Sequence, residues 1–301
     1  MATLDAILYT DPGCPFAYSA GPAFAVLEWR YRDQLNWRIV TIGLAETPQQ
    51  YEERGYSPTM MAQGYRRFRR HGMPFATEPR TRLAATSRAC RAIVATRLMQ
   101  PELEVPVLRA LQFGWFTTTL ILDEDADIRT ALHSVRGLDV DRVVGAIDSP
   151  EVVAAYEADK EESRRAAGGP TEFQGKARNT DGEVRYTAPS LVFQDAEGRR
   201  LEAGGFQPLE AYDVLIANFP DRPARREAPA SPLEALRFFR SPLTTQEIAA
   251  VMTTGTDEPD RGEAEDALIE LAAEGAIERI PLGHDALWGV AEARLEQARA
   301  A

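Results

Sequence analysis

The chain has 301 residues, long for one compact core, so two domains are the default expectation. Hydrophobic residues at 44% and charged residues at 27% are the balance of a folded globular protein and exclude global disorder. A formal net charge of -12 opposes general affinity for nucleic acid, which requires clustered Lys and Arg to neutralise phosphate.

The opening residues have no basic lead and no small-residue cleavage site, so a folded strand is expected there and not a signal peptide. The longest apolar stretch, residues 105–122, is interrupted by Arg109 and is too short to span a bilayer, so no membrane association is expected. The two cysteines, Cys14 and Cys90, are too few for a disulfide framework, and the cytoplasm is the expected compartment.

Residues 4–10 alternate apolar and polar and are rich in strand formers, which predicts a strand. Asp11-Pro12-Gly13 breaks it, and Pro15 suits the first turn of a helix, where a missing N–H costs nothing. That helix is expected to continue to Tyr31, with Phe24, Leu27 and Tyr31 sharing a face. Residues 35–44 read as a second strand, parallel to the first after a helical crossover.

From about residue 57 to 168 the period is helical, with helices expected at 82–98, 105–116, 128–135, 139–147 and 151–165. Alternation returns at 190–193 and 200–203 around the turn 195–198, and residues 208–217 predict one more helix. The order strand, helix, strand, helical block, hairpin, helix predicts an α/β thioredoxin-like fold over residues 1–220, with an all-helical insertion after the second strand. Residues 221–231, punctuated by proline, predict a linker.

Cys14 sits between a strand and a helix. A cysteine at a helix mouth faces free backbone N–H groups and the positive end of the macrodipole, both of which favour thiolate and predict a lowered pKa. Cys90 lies mid-helix among Ala89, Ile93 and Val94, where a buried, inert thiol is the expectation. His71, His133 and His284 have no metal-ligand spacing, and only His71 is a candidate to pair with Cys14. Tyr18, Phe16 and Trp115 either line an apolar cleft or belong to the core. Between residues 66 and 97 stand Arg66, Arg67, Arg69, Arg70, Arg80, Arg82, Arg88, Arg91 and Arg97. They predict either a solvated helix face or an anion-attracting wall above a cleft, suited to a carboxylate-bearing thiol or an acidic peptide.

Four segments carry a family resemblance. Cys14-Pro15-Phe16-Ala17 opens the first helix, and Gly72-Met73-Pro74-Phe75 with Thr86-Ser87-Arg88-Ala89-Cys90-Arg91 stands in the insertion. Thr187-Ala188-Pro189-Ser190 precedes the third strand, and Gly204-Gly205-Phe206-Gln207-Pro208 opens the last helix. In this order they resemble the DsbA family of thioredoxin-fold proteins, in the cytosolic branch with kappa-class glutathione transferases and 2-hydroxychromene-2-carboxylate isomerases. The resemblance implies catalysis at Cys14, a cis bond before Pro189, and substrate binding by Pro15, Phe16, Tyr18, Ala188 and Pro189. The departure is Ala17, which replaces the family's second thiol. A lone thiol forms a mixed disulfide but does not resolve it, so another thiol must complete any cycle.

Residues 232–301 predict a small domain: a helix at 232–239, a second from Thr244 with a Thr244–Glu247 capping box, a third at 263–274 ending at Gly275, and strands at 277–280 and 286–290. This resembles a winged helix-turn-helix. Its groove-facing helix carries Asp260, Arg261, Glu263, Glu265 and Asp266, on which phosphate repulsion would dominate, so an interaction or dimerisation module is preferred over DNA binding.

Three functions stand open. The first is a thiol-disulfide oxidoreductase or isomerase acting through Cys14 by mixed disulfides, on a protein or small-molecule thiol or disulfide. The second is a transferase or isomerase using glutathione or another low-molecular-weight thiol, with no tightly bound cofactor. The third is a non-catalytic protein adaptor. A homodimer is compatible with all three.

Overall fold

The structure, a computed structural model, describes residues 3–178, 183–239, 241–255 and 257–291. Strand β1 (Leu4–Thr10) leads through the turn at 11–13 into the short helix α1 (Pro15–Ser19). Helix α2 (Gly21–Tyr31) then crosses to β2 (Leu35–Thr41), which pairs with β1 in parallel, Leu4 opposite Leu35 and Thr10 opposite Thr41. The single helix expected from Pro15 to Tyr31 is therefore two. Pro22 has no N–H to offer the carbonyl of Tyr18, and the chain breaks at Ala20.

The insertion comprises α3 (Pro48–Glu53), α4 (Pro58–Phe68), α5 (Ser87–Met99), α6 (Glu104–Thr117), α7 (Asp125–Leu132), α8 (Val140–Gly145) and α9 (Pro150–Ser163). The expected helix at 82–98 begins five residues late. The N–H groups of Thr86 and Ser87 donate to the Ala45 carbonyl, and the N–H of Ala85 donates to the Asp123 carboxylate at 2.9 Å. Residues 82–86 are thus spent on long-range bonds, and the helix starts only at Ser87.

The chain returns through α10 (Pro170–Phe173) and the two-residue pair β3 (Ala177–Arg178) and β4 (Arg185–Tyr186). It then adds β5 (Ser190–Gln194) antiparallel to β1, β6 (Arg200–Ala203) antiparallel to β5, and α11 (Leu209–Ala217). The sheet order is β2-β1-β5-β6. Alternation along β1 divides the core: Leu4, Ala6 and Leu8 pack with Leu27 of α2 and Tyr212 and Ile216 of α11, whereas Ile7 and Tyr9 face Cys14, Ala17, Val40 and Ile42. The α/β thioredoxin-like fold with its helical insertion is as expected.

The last part contains α12 (Pro232–Phe238), β7 (Leu243–Thr244), α13 (Thr245–Met252), α14 (Arg261–Ala273), β8 (Ile277–Leu282) and β9 (Asp285–Val290), with sheet order β7-β9-β8. Both halves of the Thr244–Glu247 capping box form, and Gly275 takes φ +68° beyond α14. Residues 292–301, the end of the predicted domain, lie outside the described residues.

Residues 221–231 do not hold this unit at a distance. Trp29 Nε1 donates to the Glu227 carbonyl at 2.8 Å, and the Arg226 guanidinium lies 3.4 Å from the Trp29 ring centroid. Ala25, Val26 and Trp29 of α2 share a buried cluster with Ala235, Ala250 and Val251. Helix α13 thereby covers α2 and reaches the insertion, where Arg109 of α6 pairs with Glu247. No helix among the described residues is long and apolar enough to cross a membrane.

Candidate active site

Cys14 is the N-cap of α1, with Pro15 at the first helical position. The turn before it is tied down from three sides. The Cys14 N–H donates to the Asp11 carbonyl at 3.1 Å, and the Gly13 N–H donates to Asp11 Oδ1 at 2.8 Å. Asp11 Oδ2 accepts from the Leu44 N–H and the Thr86 hydroxyl, each at 2.9 Å, and from the Cys90 thiol at 3.5 Å. One fully buried carboxylate thus fastens the thiol turn to the end of β2 and to the head of α5.

Gly13 has no room for a side chain. A Cβ there would stand 2.6 Å from Thr86 Cγ2 and 3.0 Å from Trp115 Cζ2. The insertion therefore packs directly onto the backbone beside the thiol.

The Ala188–Pro189 bond is cis, as the resemblance implied, and Cys14 Sγ donates to the Ala188 carbonyl oxygen at 3.1 Å across 174 residues of chain. Cys14 and Ala188 lie in one apolar cluster with Ala17, Tyr186 and Val192. Ala17, in place of a second thiol, is buried there.

This burial reverses the expected electrostatics. Cys14 is only 6% exposed, and its pKa is pushed up to about 12. Desolvation is the largest cause, and the negative charge of Asp11 adds to it. The N–H groups of Ala17 and Phe16 at the helix mouth pull the other way, as the sequence predicted, and so does Arg185. They are outweighed, so the resting sulfur is a thiol whose hydrogen occupies the Ala188 carbonyl. Asp11 is itself displaced upward by burial, against the hydrogen bonds it accepts.

The other candidates divide. Phe16 is 43% exposed, packs edge-on to Phe68 with centroids 4.7 Å apart, and lies 5.9 Å from the Phe206 ring. Pro15 is half-buried beside it. Tyr18 is not at the surface: it stacks on Phe116, meets Phe75 edge-on, and donates its hydroxyl to the Pro74 carbonyl at 3.0 Å. It anchors α1 to the insertion core, because two residues along a helix from Phe16 point to the opposite side. Trp115 is likewise buried.

Cys90 is fully buried, with its pKa raised by desolvation and then by Asp11. His71 packs on Phe206 at 4.9 Å and accepts from Arg70 Nε at 3.3 Å, and no hydrogen bond joins it to Cys14. Burial and Arg70 lower its pKa.

The arginine-rich segment is mostly structural. Arg82 pairs with Asp123 and Glu124, Arg88 with Asp125 and Asp148, Arg91 with Asp148, and Arg97 with Glu104 and Asp159. Arg80 donates to the carbonyls of Leu120 and Trp115. Like Arg80, Arg66, Arg67, Arg69 and Arg70 around the end of α4 have no acidic partner among the described residues, and Arg69 donates twice to the Phe75 carbonyl. Sequence reasoning gave no role to Asp11 or Gly13 beyond turn formation. The signal available was a buried-type position, three residues before the cysteine, filled by a carboxylate.

No protein-family model matches the sequence, and no curated protein matches it. Among solved structures, a candidate protein disulfide isomerase from Nitrosomonas europaea superposes with a TM-score of 0.55 at 19% identity, covering 71% of this chain and 96% of that one. A probable DsbA oxidoreductase from Streptomyces coelicolor gives 0.52 at 17% identity, covering 75% and 94%. The arrangement of Cys14, α1, the insertion and Pro189 is therefore set in the thioredoxin-like fold with helical insertion that these DsbA-type proteins display.

Proposed function

We propose that this protein is a DsbA-like thiol-disulfide oxidoreductase or isomerase that works through the single thiol of Cys14 by forming mixed disulfides. The observation that carries the reading is Cys14 at the mouth of α1, its sulfur 3.1 Å from the Ala188 carbonyl beside cis-Pro189. Once deprotonated, the sulfur is met by the Ala17 and Phe16 N–H groups. The Cys14 thiolate attacks one sulfur of a substrate disulfide. A bond forms between Cys14 Sγ and that sulfur, the substrate S–S bond breaks, and the departing thiolate takes up a proton in place of the one Cys14 released.

Ala17 supplies no second sulfur, and Cys90 is held on Asp11. The mixed disulfide is then resolved from outside. A third sulfur of the substrate, a thiol other than the one just released, can attack the substrate sulfur of the mixed disulfide, which frees Cys14 and leaves a rearranged disulfide, an isomerisation. Alternatively, a low-molecular-weight thiol such as glutathione attacks the substrate sulfur, frees Cys14 as a thiol, and carries the substrate off as its own mixed disulfide. Both routes suit cytoplasmic chemistry with thiol or disulfide partners.

The test is intact mass after exposure of the native chain to a small disulfide. One adduct at Cys14, reversed by reduced glutathione and missing from Cys14→Ser, is expected. An unmodified native Cys14 where the unfolded chain reacts fully would refute the proposal.

A second reading is favoured by the burial of Cys14 and its raised pKa: a non-catalytic adaptor in which the fold and the winged-helix-like C-terminal unit both bind protein. Full complementation of a deletion strain by Cys14→Ser selects this reading over the first.

A further inference from the structure

The Ala188 carbonyl that takes the Cys14 thiol hydrogen lies on a stretch of chain outside the strand ladders. Residues 187–189 stand between β4, which ends at Tyr186, and β5, whose pairing with β1 begins at Ser190 opposite Tyr9. Pro189 has no N–H with which to anchor them. Side chains at the two ends of the stretch do so instead.

The Thr187 hydroxyl donates to the Lys176 carbonyl at 2.6 Å. At the other end the Ser190 hydroxyl donates back to the Thr187 carbonyl at 2.7 Å and accepts from the Gly205 N–H at 3.0 Å. Ser190 is only 1% exposed, so both bonds are shielded from water. The turn between β6 and α11 to which it reaches is pressed close: a Cβ on Gly205 would stand 3.4 Å from Thr187 Oγ1 and 3.2 Å from Lys176 Cδ. One hydroxyl thus closes a loop around Ala188 and Pro189 and fastens it to that turn.

We propose that Ser190 is a positioning residue for the thiol site: it holds the Ala188 carbonyl on the Cys14 thiol hydrogen and so keeps the resting sulfur protonated. A bond donated by the thiol exists only in its neutral form, so the carbonyl opposes ionisation, and whatever fixes the carbonyl sustains that opposition. Its bearing on turnover rests on the mixed-disulfide function proposed above; the contact itself does not. Around the sulfur stand Asp11 of the turn, Arg185 of β4, and Tyr9 and Tyr186 of the apolar cluster. Tyr51 of α3, Tyr65 of α4 and Cys90 on Asp11 complete the titratable surroundings. Truncating Ser190 leaves every one of these groups in place, so a change at Cys14 reports the carbonyl.

The test reads the thiol bond by the infrared S–H stretching band of the full chain. Cys14 and Cys90 are its two thiols, and Cys14→Ser assigns their bands. In Ser190→Ala the Cys14 band is expected to move to higher frequency while the Cys90 band stays, which a general loosening of the fold would not produce. Alkylation of Cys14 at pH 8 is expected to quicken about two- to fivefold, the effect of losing one weak neutral hydrogen bond. Ser190→Thr, which keeps the hydroxyl, is expected to keep the native band and rate. An unmoved Cys14 band in folded Ser190→Ala overturns the inference, as does an equal shift in Ser190→Thr. A native Cys14 band at the frequency of an alkanethiol in hydrocarbon overturns it whatever the variants do. Exposure of the same proteins to a small disulfide separates this inference from the function. A moved band with no Cys14 adduct sinks the mixed-disulfide function alone, and an adduct with an unmoved band sinks the role of Ser190 alone.

Discussion

The Arg109 guanidinium of α6 holds the Glu247 carboxylate of α13 with two prongs, one of them 3.0 Å from Nη2 to Oε2, across 138 residues of chain. Glu247 is fully buried and also accepts from the Thr244 N–H at 2.8 Å, so one carboxylate closes a helix cap and joins the C-terminal unit to the insertion. Removing it leaves the largely covered Arg109 guanidinium with the Pro242 carbonyl as its partner in place of a carboxylate. Glu247→Ala is expected to lose about 3–5 kcal/mol in urea unfolding, and Arg109→Met/Glu247→Leu considerably less than the sum of its single variants. A loss below about 1 kcal/mol in Glu247→Ala would show that the pair contributes nothing to docking.

The raised pKa of Cys14 has a definite pH signature. With no substrate, its alkylation rate is expected to climb about tenfold per pH unit through 8 and 9, because the thiolate fraction is still small there. The sign for stability follows from the same shift. The native state keeps the thiol neutral while the unfolded thiol ionises near 8.5, so this contribution is complete below that value and is lost as pH rises towards about 12. A plateau in the alkylation rate at or below pH 8.5 would contradict both statements.

Asp11 opposes the Cys14 thiolate while its oxygens hold the turn. Asp11→Asn is therefore expected to move the alkylation profile of Cys14 to lower pH and to cost about 1–3 kcal/mol, since an amide cannot accept all the donors that the carboxylate accepts. An unmoved profile in a variant that still folds would remove Asp11 from the electrostatics of the thiol.

Gly13→Ala places a methyl against Thr86 Cγ2 and the Trp115 ring. Overpacking of this kind is expected to cost about 1–3 kcal/mol, with Thr86→Ser recovering part by withdrawing the methyl that is struck. Thermal unfolding of the single and double variants decides it. No recovery would mean that Trp115, and not Thr86, sets the limit.

The strands and the order of elements were legible in the sequence because alternation in residues 4–10 and 190–193 is a local signal. Cys14 and the partner stretch at Ala188–Pro189 were legible from motif resemblance. What was not legible depends on distant contacts. The late start of α5 follows from Ala45 and Asp123, the core placement of Tyr18 from Phe75 and Phe116, and the docking of α13 from Arg109. The thiol itself shows the same division. Helix-end N–H groups can be read from Pro15, but the apolar cover that outweighs them is assembled from Val40, Ala166, Tyr186 and Val192.

The hydrogen that Cys14 lends to the Ala188 carbonyl makes the two groups mutually dependent. While the sulfur keeps its proton, one lone pair of that oxygen is engaged by the thiol, and an incoming backbone N–H would have to share the carbonyl with it. When the proton leaves, the nucleophile and the acceptor become available together. Chain recognition and thiol ionisation are then linked in sign: a backbone N–H on that carbonyl competes with the thiol hydrogen, and loss of that hydrogen strengthens the acceptor.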